Sequence, residues 1–232
     1  MIPLHDDNPT HHPPYVTMAF IGICVLVFLW QQFLGPATAA YSLGAIPSVL
    51  FDTRELPAHL AWTPPWVTGI TSMFLHGGWM HLIGNMLYLW IFGNNVEDAM
   101  GHVKYVVFYF VCGTIALLAH ALPNAESTIP MVGASGAISG VLGAYLLLYP
   151  RARVLVLIPL GFIMQTLRLQ AVWVLAFWFG LQIFSVWMAE DNTGGGVAWG
   201  AHIGGFVAGL VLIPLFKHRH LRLLAPARSA VG

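Results

Sequence analysis

Long apolar runs separated by short polar stretches dominate the chain, and they predict membrane-spanning helices. Six stretches without Asp, Glu, Lys or Arg can each hold the ~20 apolar residues that a bilayer requires. The pattern therefore predicts an all-α membrane protein that folds as a bundle of six transmembrane helices. The predicted spans are Val16–Leu34, Gly78–Val96, Tyr105–Leu122, Ser135–Tyr149, Val172–Ala189 and Trp199–Phe216.

A seventh apolar segment, Val154–Met164, is too short to cross a bilayer. Arginines stand on both sides of it, and Pro159 and Gly161 interrupt any helix there. We expect this segment to be an interfacial or re-entrant piece between the fourth and fifth spans.

The basic residues predict the orientation of the spans, because lysine and arginine concentrate in cytoplasmic loops. Only Arg54 falls on the side opposite to the others. Both termini are thus predicted to be cytoplasmic. The minimal six-span core further suggests the inner membrane of a bacterium. The chain divides into a cytoplasmic tail, 1–15, a six-helix domain, 16–216, with an outer loop at 35–77, and a basic cytoplasmic tail, 217–232. The basic residues on the cytoplasmic side are Lys104, Arg151, Arg153, Arg168, Lys217, Arg219, Arg222 and Arg228.

Composition narrows the function classes further. Hydrophobic residues make up 58% of the chain and charged residues 8%, which disfavours a soluble globular protein. Lysine and arginine (9) balance aspartate and glutamate (9), so no basic excess is present to bind nucleic acid. The two cysteines, Cys24 and Cys112, lie in apolar runs, where a thiol usually packs as a small hydrophobe.

Four polar residues inside the predicted spans are candidates for a chemical role. Polar groups without a partner are costly in hydrocarbon, so those found inside a span usually have a function. Ser135 and His202 each lie ~21 Å from the cytoplasmic end of their span, at 1.5 Å per residue. His81 lies at ~22 Å and Asn85 at ~16 Å on the second span. All four therefore fall at a similar depth in the outer half of the bilayer.

The fourth span is short, so its helix is expected to start inside the membrane at Ser135. The preceding segment, Ile129–Gly133, should then be non-helical backbone, which is tolerated at this depth only where it is buried in protein or lines a water-filled cavity. Water near Ser135 is therefore expected. Free backbone N–H groups at the helix start also suit a developing oxyanion.

Small residues at four-residue spacing predict close contact between the fourth and sixth spans. These are Gly136 and Gly140 on one helix and Gly205 and Gly209 on the other. Such contact could bring His202 within hydrogen-bond reach of Ser135 and form a serine–histidine dyad. On the second span, His81 and Asn85 share a helix face and could both donate to one oxyanion.

Structural roles remain open for several of the polar residues. Asn85 could instead join helices through a hydrogen bond, and Ser139 is a second serine one turn deeper on the same helix face. We read Ser139 as a packing residue, because it lacks the free N–H groups of a helix end. His76 is read as structural or interfacial, and Glu97 and Asp98 as capping or solvated charges.

Three motifs follow one another on the second, fourth and sixth spans: His76-Gly77-Gly78-Trp79-Met80-His81-Leu82-Ile83-Gly84-Asn85, Gly133-Ala134-Ser135-Gly136, and Ala201-His202 with Gly205 and Gly209. In their order and in the spans that carry them, they resemble the motifs of the rhomboid family of intramembrane serine proteases. The run Gly93–Gly101 also resembles the family's segment after the second span, whereas the Trp-Arg pair that some members carry in the first loop is not seen.

The resemblance implies that Ser135 is the nucleophile, His202 the general base, and His81 with Asn85 the oxyanion donors. The predicted activity is a serine endopeptidase that cleaves transmembrane protein substrates within the lipid bilayer. Neither a metal nor a cofactor is predicted, and no nucleic acid. The alternatives are a catalytically silent relative that binds transmembrane helices, or a small polytopic transporter. A transporter would need ionisable residues across the cytoplasmic half of the spans, where none is found.

Overall fold

The computed structural model describes residues 1–160, 163–188 and 198–224. Gly161, the predicted end of the fifth span at Ala189 and residues 225–232 of the C-terminal tail lie outside these residues. In chain order the elements are β1 (Ile2–Asp6), α1 (Tyr15–Leu34), α2 (Pro36–Leu43), α3 (Pro47–Leu50), α4 (Pro65–Thr71), a 3₁₀ turn (Ser72–Phe74), α5 (Trp79–Met100), α6 (His102–Ala121), α7 (Ser135–Leu148), β2 (Arg153–Leu160), β3 (Ile163–Gln170), α8 (Ala171–Met188) and α9 (Trp199–Phe216).

A long helix is present at each of the predicted spans, because the apolar runs fold as helices that satisfy their own backbone hydrogen bonds. By length and composition, four helices among the described residues could cross a membrane, namely α1, α6, α8 and α9. Helix α7 is apolar but has only 14 residues, and α5 carries polar side chains along its 22 residues. The helical membrane fold is thus confirmed, and the count of six spans stays a prediction.

The all-α prediction is wrong outside the helices, where β1, β2 and β3 form an antiparallel sheet. The described residues of the segment Val154–Met164, predicted to be interfacial or re-entrant, lie in strands β2 and β3, which pair in this sheet. Residues Ala152, Val154 and Val156 are buried and the arginine between the first two is exposed, which is the two-residue period of a strand. Strand β1 adds to the edge of β2, so the N-terminal tail is structured rather than free.

The backbone before α7 is non-helical, as predicted for Ile129–Gly133. Met131 bridges Ala45 in the outer loop, and the N–H of Gly133 donates to the carbonyl of Ser72 at 2.9 Å. Gly133 has a φ of 128°, a conformation that side-chain-bearing residues rarely adopt. This turn lets α7 begin at Ser135, as the sequence predicts.

Glu97 near the C-terminal end of α5 caps the start of α1. Its carboxylate accepts the backbone N–H groups of Val16 and Thr17 at 2.9 and 2.8 Å and the Thr17 hydroxyl at 2.7 Å. A carboxylate at a helix N-terminus satisfies free N–H groups and opposes the positive end of the helix dipole. Glu97 is thus a capping residue, as predicted, and it ties α5 to the N-terminal segment.

Candidate active site

Ser135 and His202 meet although 67 residues separate them in the chain. Ser135 is the first residue of α7 and is half-buried, and His202 lies one turn into α9. The Ser135 Oγ and the His202 Nε2 are 2.8 Å apart, which is hydrogen-bond distance. This pair has the separation that a serine nucleophile and a histidine base require.

Glycine backbone contacts hold α7 against α9. A Cβ atom built on Gly205 would overlap the carbonyl oxygen of Gly136, and one on Gly209 would overlap that of Gly140. A Cβ on Gly136 itself would lie 2.8 Å from the Cβ of Ala116 on α6. Only glycine allows the two helix backbones to approach this closely, and the approach brings Ser135 to His202.

The imidazole of His202 is held on its other side by α8. Gln182 is 5% exposed, and its Oε1 lies 2.7 Å from the His202 Nδ1. Trp178 and Trp199 flank the same ring, with ring centroids 5.9 and 5.8 Å from that of His202. The sequence analysis missed Gln182. A usable signal was present, because a glutamine inside an otherwise apolar span is a candidate for function.

His81 and Ser135 both lie close to Gly133. A Cβ atom on Gly133 would lie 2.8 Å from the His81 Nε2 and 3.6 Å from the Ser135 Oγ. The N–H of Gly77 donates to the His81 Nδ1 at 3.3 Å, so a neutral His81 carries its proton on Nε2. His81 therefore presents a donor on the side of the ring that is close to Ser135.

Asn85 lies one turn further along α5 and is 8% exposed. Its Nδ2 has no hydrogen-bond partner in the part of the chain that the structure describes. Leaving a buried donor without a partner costs free energy, so such a group calls for a structural or chemical reason. A substrate oxygen that arrives only during the reaction would supply the acceptor.

Ser139 and His76, the serine and the histidine that lie near the candidate site, both make structural contacts. The Ser139 hydroxyl donates to the backbone carbonyl of Ser135 at 2.6 Å and is fully buried. His76 exchanges two backbone hydrogen bonds with the Gln31 amide at 3.0 and 3.2 Å. Burial, with His81 beside it, lowers the pKa of His76 to about 4, so His76 is neutral at neutral pH. These contacts agree with the packing and structural roles read from the sequence.

A cavity of about 40 Å³ opens beside Ser135. A cavity of roughly 10–15 Å³ on the same measure holds one water molecule, so water has room next to the hydroxyl. The cavity walls combine backbone polar groups with small and apolar side chains. Residues that line it include Ser72, Met73, Gly133, Ser135, Gly136 and Ala201.

The candidate site contains no visible place for a metal. Within residues 1–160, 163–188 and 198–224, no group of three or more His, Cys, Asp or Glu side chains is arranged to hold a metal ion.

Fold and site together define a helical membrane protein with a serine–histidine pair at the start of a short helix. The Rhomboid domain family matches residues 63–219, which is well over half of the chain. The chain belongs to the rhomboid family, and the resemblance read from its motifs is confirmed. It is an integral membrane protein.

Named relatives come from bacteria and from mitochondria. Rhomboid protease GluP of Bacillus subtilis is 29% identical over 196 residues, which are 84% of this chain and 34% of that protein. Rhomboid protein 1, mitochondrial, of Saccharomyces cerevisiae is 28% identical over 239 residues, covering 94% and 59% of the two chains. Rhomboid protease GlpG of Klebsiella pneumoniae is 27% identical over 205 residues, covering 87% and 63%. The chain thus spans less than two thirds of the length of each of these relatives.

Proposed function

We propose that this protein is an intramembrane serine endopeptidase that cleaves peptide bonds in or near the transmembrane segments of other membrane proteins. The observation that carries the proposal is the 2.8 Å distance between the Ser135 Oγ and the His202 Nε2, at a helix start beside a cavity large enough for water. Hydrolysis inside a membrane needs a nucleophile with a base beside it, donors for the oxyanion and access to water, because hydrocarbon supplies none of these.

In the proposed mechanism, the His202 Nε2 takes the proton of the Ser135 hydroxyl as the oxygen attacks the scissile carbonyl. The protonated His202 then gives this proton to the leaving amine, and an acyl-enzyme remains on Ser135. Water enters from the cavity, loses a proton to the same Nε2 and attacks the acyl carbonyl. The ester bond to Ser135 then breaks, and the Ser135 oxygen takes the proton back from Nε2. The cycle returns both side chains to their starting protonation states.

The negative charge on the carbonyl oxygen needs donors that are already in place. The backbone N–H of Ser135 has no partner within its own helix, because it belongs to the first turn of α7. The His81 Nε2–H and the Asn85 Nδ2–H₂ supply the other two donors. The unsatisfied Asn85 amide is the sharper of the two signals, because a packing amide would be expected to have a partner.

The substrates are proposed to be membrane proteins whose helices unwind near the cleaved bond. A carbonyl within an intact helix is already hydrogen-bonded and shielded by side chains. Small or helix-breaking residues lower the cost of local unwinding, so they are expected around the scissile bond. The cavity beside Ser135 has a volume of about 40 Å³, which leaves space only for small groups there.

The proposed topology has six spans, within the domain 16–216, and both termini in the cytoplasm. The charge bias of the loops supports it, as does the arrangement of Arg153 and Arg168 on the sheet at the end of α7 opposite to Ser135. Substituted-cysteine labelling from outside the cell tests it, since Cys24 and Cys112 are buried. Glu55→Cys in the outer loop 35–77 should react and His220→Cys in the tail 217–232 should not; the reverse pattern would refute the orientation.

We also propose the inner membrane of a bacterium as the location, supported by the bacterial relatives GluP and GlpG. Fractionation of the source cells should recover the chain with inner-membrane vesicles. Recovery with mitochondria, where the yeast relative is named, would contradict this location.

Labelling of the purified protein with a fluorophosphonate probe tests the function without a known substrate. The unmodified chain and Ser139→Ala should react, because Ser139 serves only packing. Ser135→Ala and His202→Ala should lose the reaction, since one removes the nucleophile and the other the base. A folded, unmodified chain that does not react in detergent or in lipid would favour a helix-binding or transport role instead.

The oxyanion donors are tested by Asn85→Ala and His81→Ala. Each should lower turnover of a transmembrane substrate by about 10²–10³-fold while the protein stays folded, which is the usual effect of losing one such donor. Near-normal turnover in Asn85→Ala would return that residue to a helix-packing role.

A further inference from the structure

Gln182 on α8 contacts the imidazole of His202 from outside the serine helix. Its Oε1 lies 2.7 Å from the His202 Nδ1, on the opposite side of the ring from Ser135. Its Nε2 donates to the carbonyl of Trp178 at 3.1 Å, one turn earlier on the same helix. Most of the described part of α8 is exposed, yet Gln182 is buried against His202.

These two contacts fix which way the Gln182 amide points. The carbonyl of Trp178 can only accept, so the amide nitrogen must face it. The Oε1 then faces His202, and because an amide oxygen can only accept, the Nδ1 of His202 must carry a proton. A neutral imidazole with its proton on Nδ1 has a free lone pair on Nε2, which is the atom that faces the Ser135 hydroxyl.

We propose that Gln182 is a positioning residue that selects the tautomer of His202 able to act as the base, so that Ser135, His202 and Gln182 work together as a triad. This inference rests on the proposed protease function and adds a member to its site. Gln182 holds the imidazole in the tautomer that accepts the serine proton, and it keeps a hydrogen bond to Nδ1 after the ring is protonated. Its role resembles that of the third residue in a catalytic triad, which orients the histidine without taking its proton.

A neutral amide suits this position better than a carboxylate does. An ionised side chain at this depth would be costly in hydrocarbon, whereas an amide is satisfied by its two contacts. The amide accepts from Nδ1 in both protonation states of the ring, so the ring need not move during the cycle. The site gains orientation without a buried charge.

The competing role for Gln182 is a hydrogen bond that merely joins α8 to α9. Such a bond between membrane helices contributes only weakly to stability. A joining bond predicts a small change in thermal stability and no change in the pH dependence of the reaction. The positioning role predicts a slower reaction with a changed pH dependence, and conservative variants separate the two.

The experiment measures the rate of fluorophosphonate reaction across pH for the purified full chain, together with its thermal unfolding. Gln182→Leu removes the acceptor and should slow the reaction by about 10- to 100-fold at neutral pH, which is less than the roughly 10²–10⁴-fold that a general base contributes, because His202 itself is still present. Gln182→Met keeps the unbranched shape and gives a second test should Gln182→Leu fail to fold. Gln31→Leu, a buried glutamine on α1, is the matched control and should leave the pH profile unchanged.

Gln182→Glu is the rescue variant, because its carboxyl oxygen still accepts from Nδ1. It should react within about 5-fold of the unmodified rate, since base contributions of 10²–10⁴-fold are retained. Its acidic limb should move to higher pH, because a carboxylate stabilises the imidazolium and a protonated base is inactive. Equal losses in Gln182→Leu and Gln182→Glu with unchanged pH profiles would overturn the proposal, as would an unaffected rate in Gln182→Leu.

The same data separate this inference from the proposed function. If the reaction depends on Ser135 but is insensitive to Gln182→Leu and Gln182→Met, only the positioning role fails. If the folded, unmodified chain does not react, or if Ser135→Ala reacts equally well, the protease function fails and the positioning role of Gln182 fails with it.

Discussion

His202 is contacted from two sides that are built in different ways. On the α7 side, glycine backbones meet, and a single added Cβ on Gly205 or Gly209 would overlap a carbonyl oxygen. On the α8 side, contact is made by side chains. Only 22% of the 18 residues of α8 are buried, against 39% of those of α9. A Cβ on Gly180, near the middle of α8, would meet nothing within 4 Å.

The difference separates two requirements of a serine–histidine pair. The distance between Ser135 and His202 follows from the backbone contact of α7 and α9, which leaves no space for side-chain rearrangement. The orientation of the imidazole depends on the amide of Gln182, which a modest displacement of α8 would remove. The serine–histidine distance should therefore resist perturbation far better than the orientation of the base.

Adding one methyl group to the glycine contact should give the largest effect. Gly209→Ala places a Cβ on the carbonyl oxygen of Gly140, and backbone cannot move aside as a side-chain end can. We expect a loss of at least about 3 kcal/mol in the free energy of unfolding, the upper range for overpacking. Thermal unfolding in detergent measures it. An unchanged melting temperature would mean that the helices are not held at this distance.

At the opposite end of α7, the contribution to stability should depend on pH rather than on the size of a side chain. Asp6 on β1 accepts the Tyr145 hydroxyl at 2.6 Å and is 4% exposed, and burial raises the pKa of its carboxyl to about 6. Because this value exceeds the ordinary 3.8, the folded chain binds the proton more tightly than the unfolded chain does. The free energy of unfolding should fall as the pH rises from about 4 to about 6, by up to about 3 kcal/mol.

Asp6→Asn should remove that dependence, because its amide oxygen still accepts from Tyr145 and carries no charge. Above pH 6 the variant should be more stable than the unmodified protein, and melting temperatures taken from pH 4 to pH 7 measure the difference. Its fluorophosphonate reaction rate should be unchanged, since Asp6 lies at the end of α7 opposite to Ser135. A pH dependence identical to that of the unmodified protein would assign the effect to another group.

The same chemical change on α8 should have the smallest effect. Gly180→Ala adds a methyl group into open space and replaces glycine by a better helix former. The free energy of unfolding should stay the same or rise by at most about 1 kcal/mol. Measured beside Gly209→Ala, it controls for the helix propensity of alanine. A loss as large as that of Gly209→Ala would show that α8 is packed as tightly as α9.

Much of the helical fold and the candidate site could be read from the sequence. Apolar runs predict helices in hydrocarbon because no other open structure satisfies the backbone there. Ser135 and His202 stood out because polar residues are rare at that depth, and the short fourth span predicted the helix start at Ser135. Glycines at four-residue spacing indicated which helices come close.

The sheet and Gln182 could not be read in the same way. The alternation from Ala152 to Val156 is short, and its partner β1 lies in a tail far away in the chain, so the pairing is a tertiary property. Gln182 could have been singled out as a polar residue in an apolar span, but nothing in its own span says which helix it faces.

The sequence by itself determined the helices, their apolar faces, and the chemical groups carried at one depth, because these depend on local periodicity and on the cost of polar groups in lipid. Only the tertiary structure decided that the Ser135 and His202 side chains meet at 2.8 Å, that Gln182 contacts the far side of the His202 ring, and that β1 joins β2. The physical reason is that each of these depends on contacts between segments far apart in the chain, and local sequence does not specify which surfaces meet.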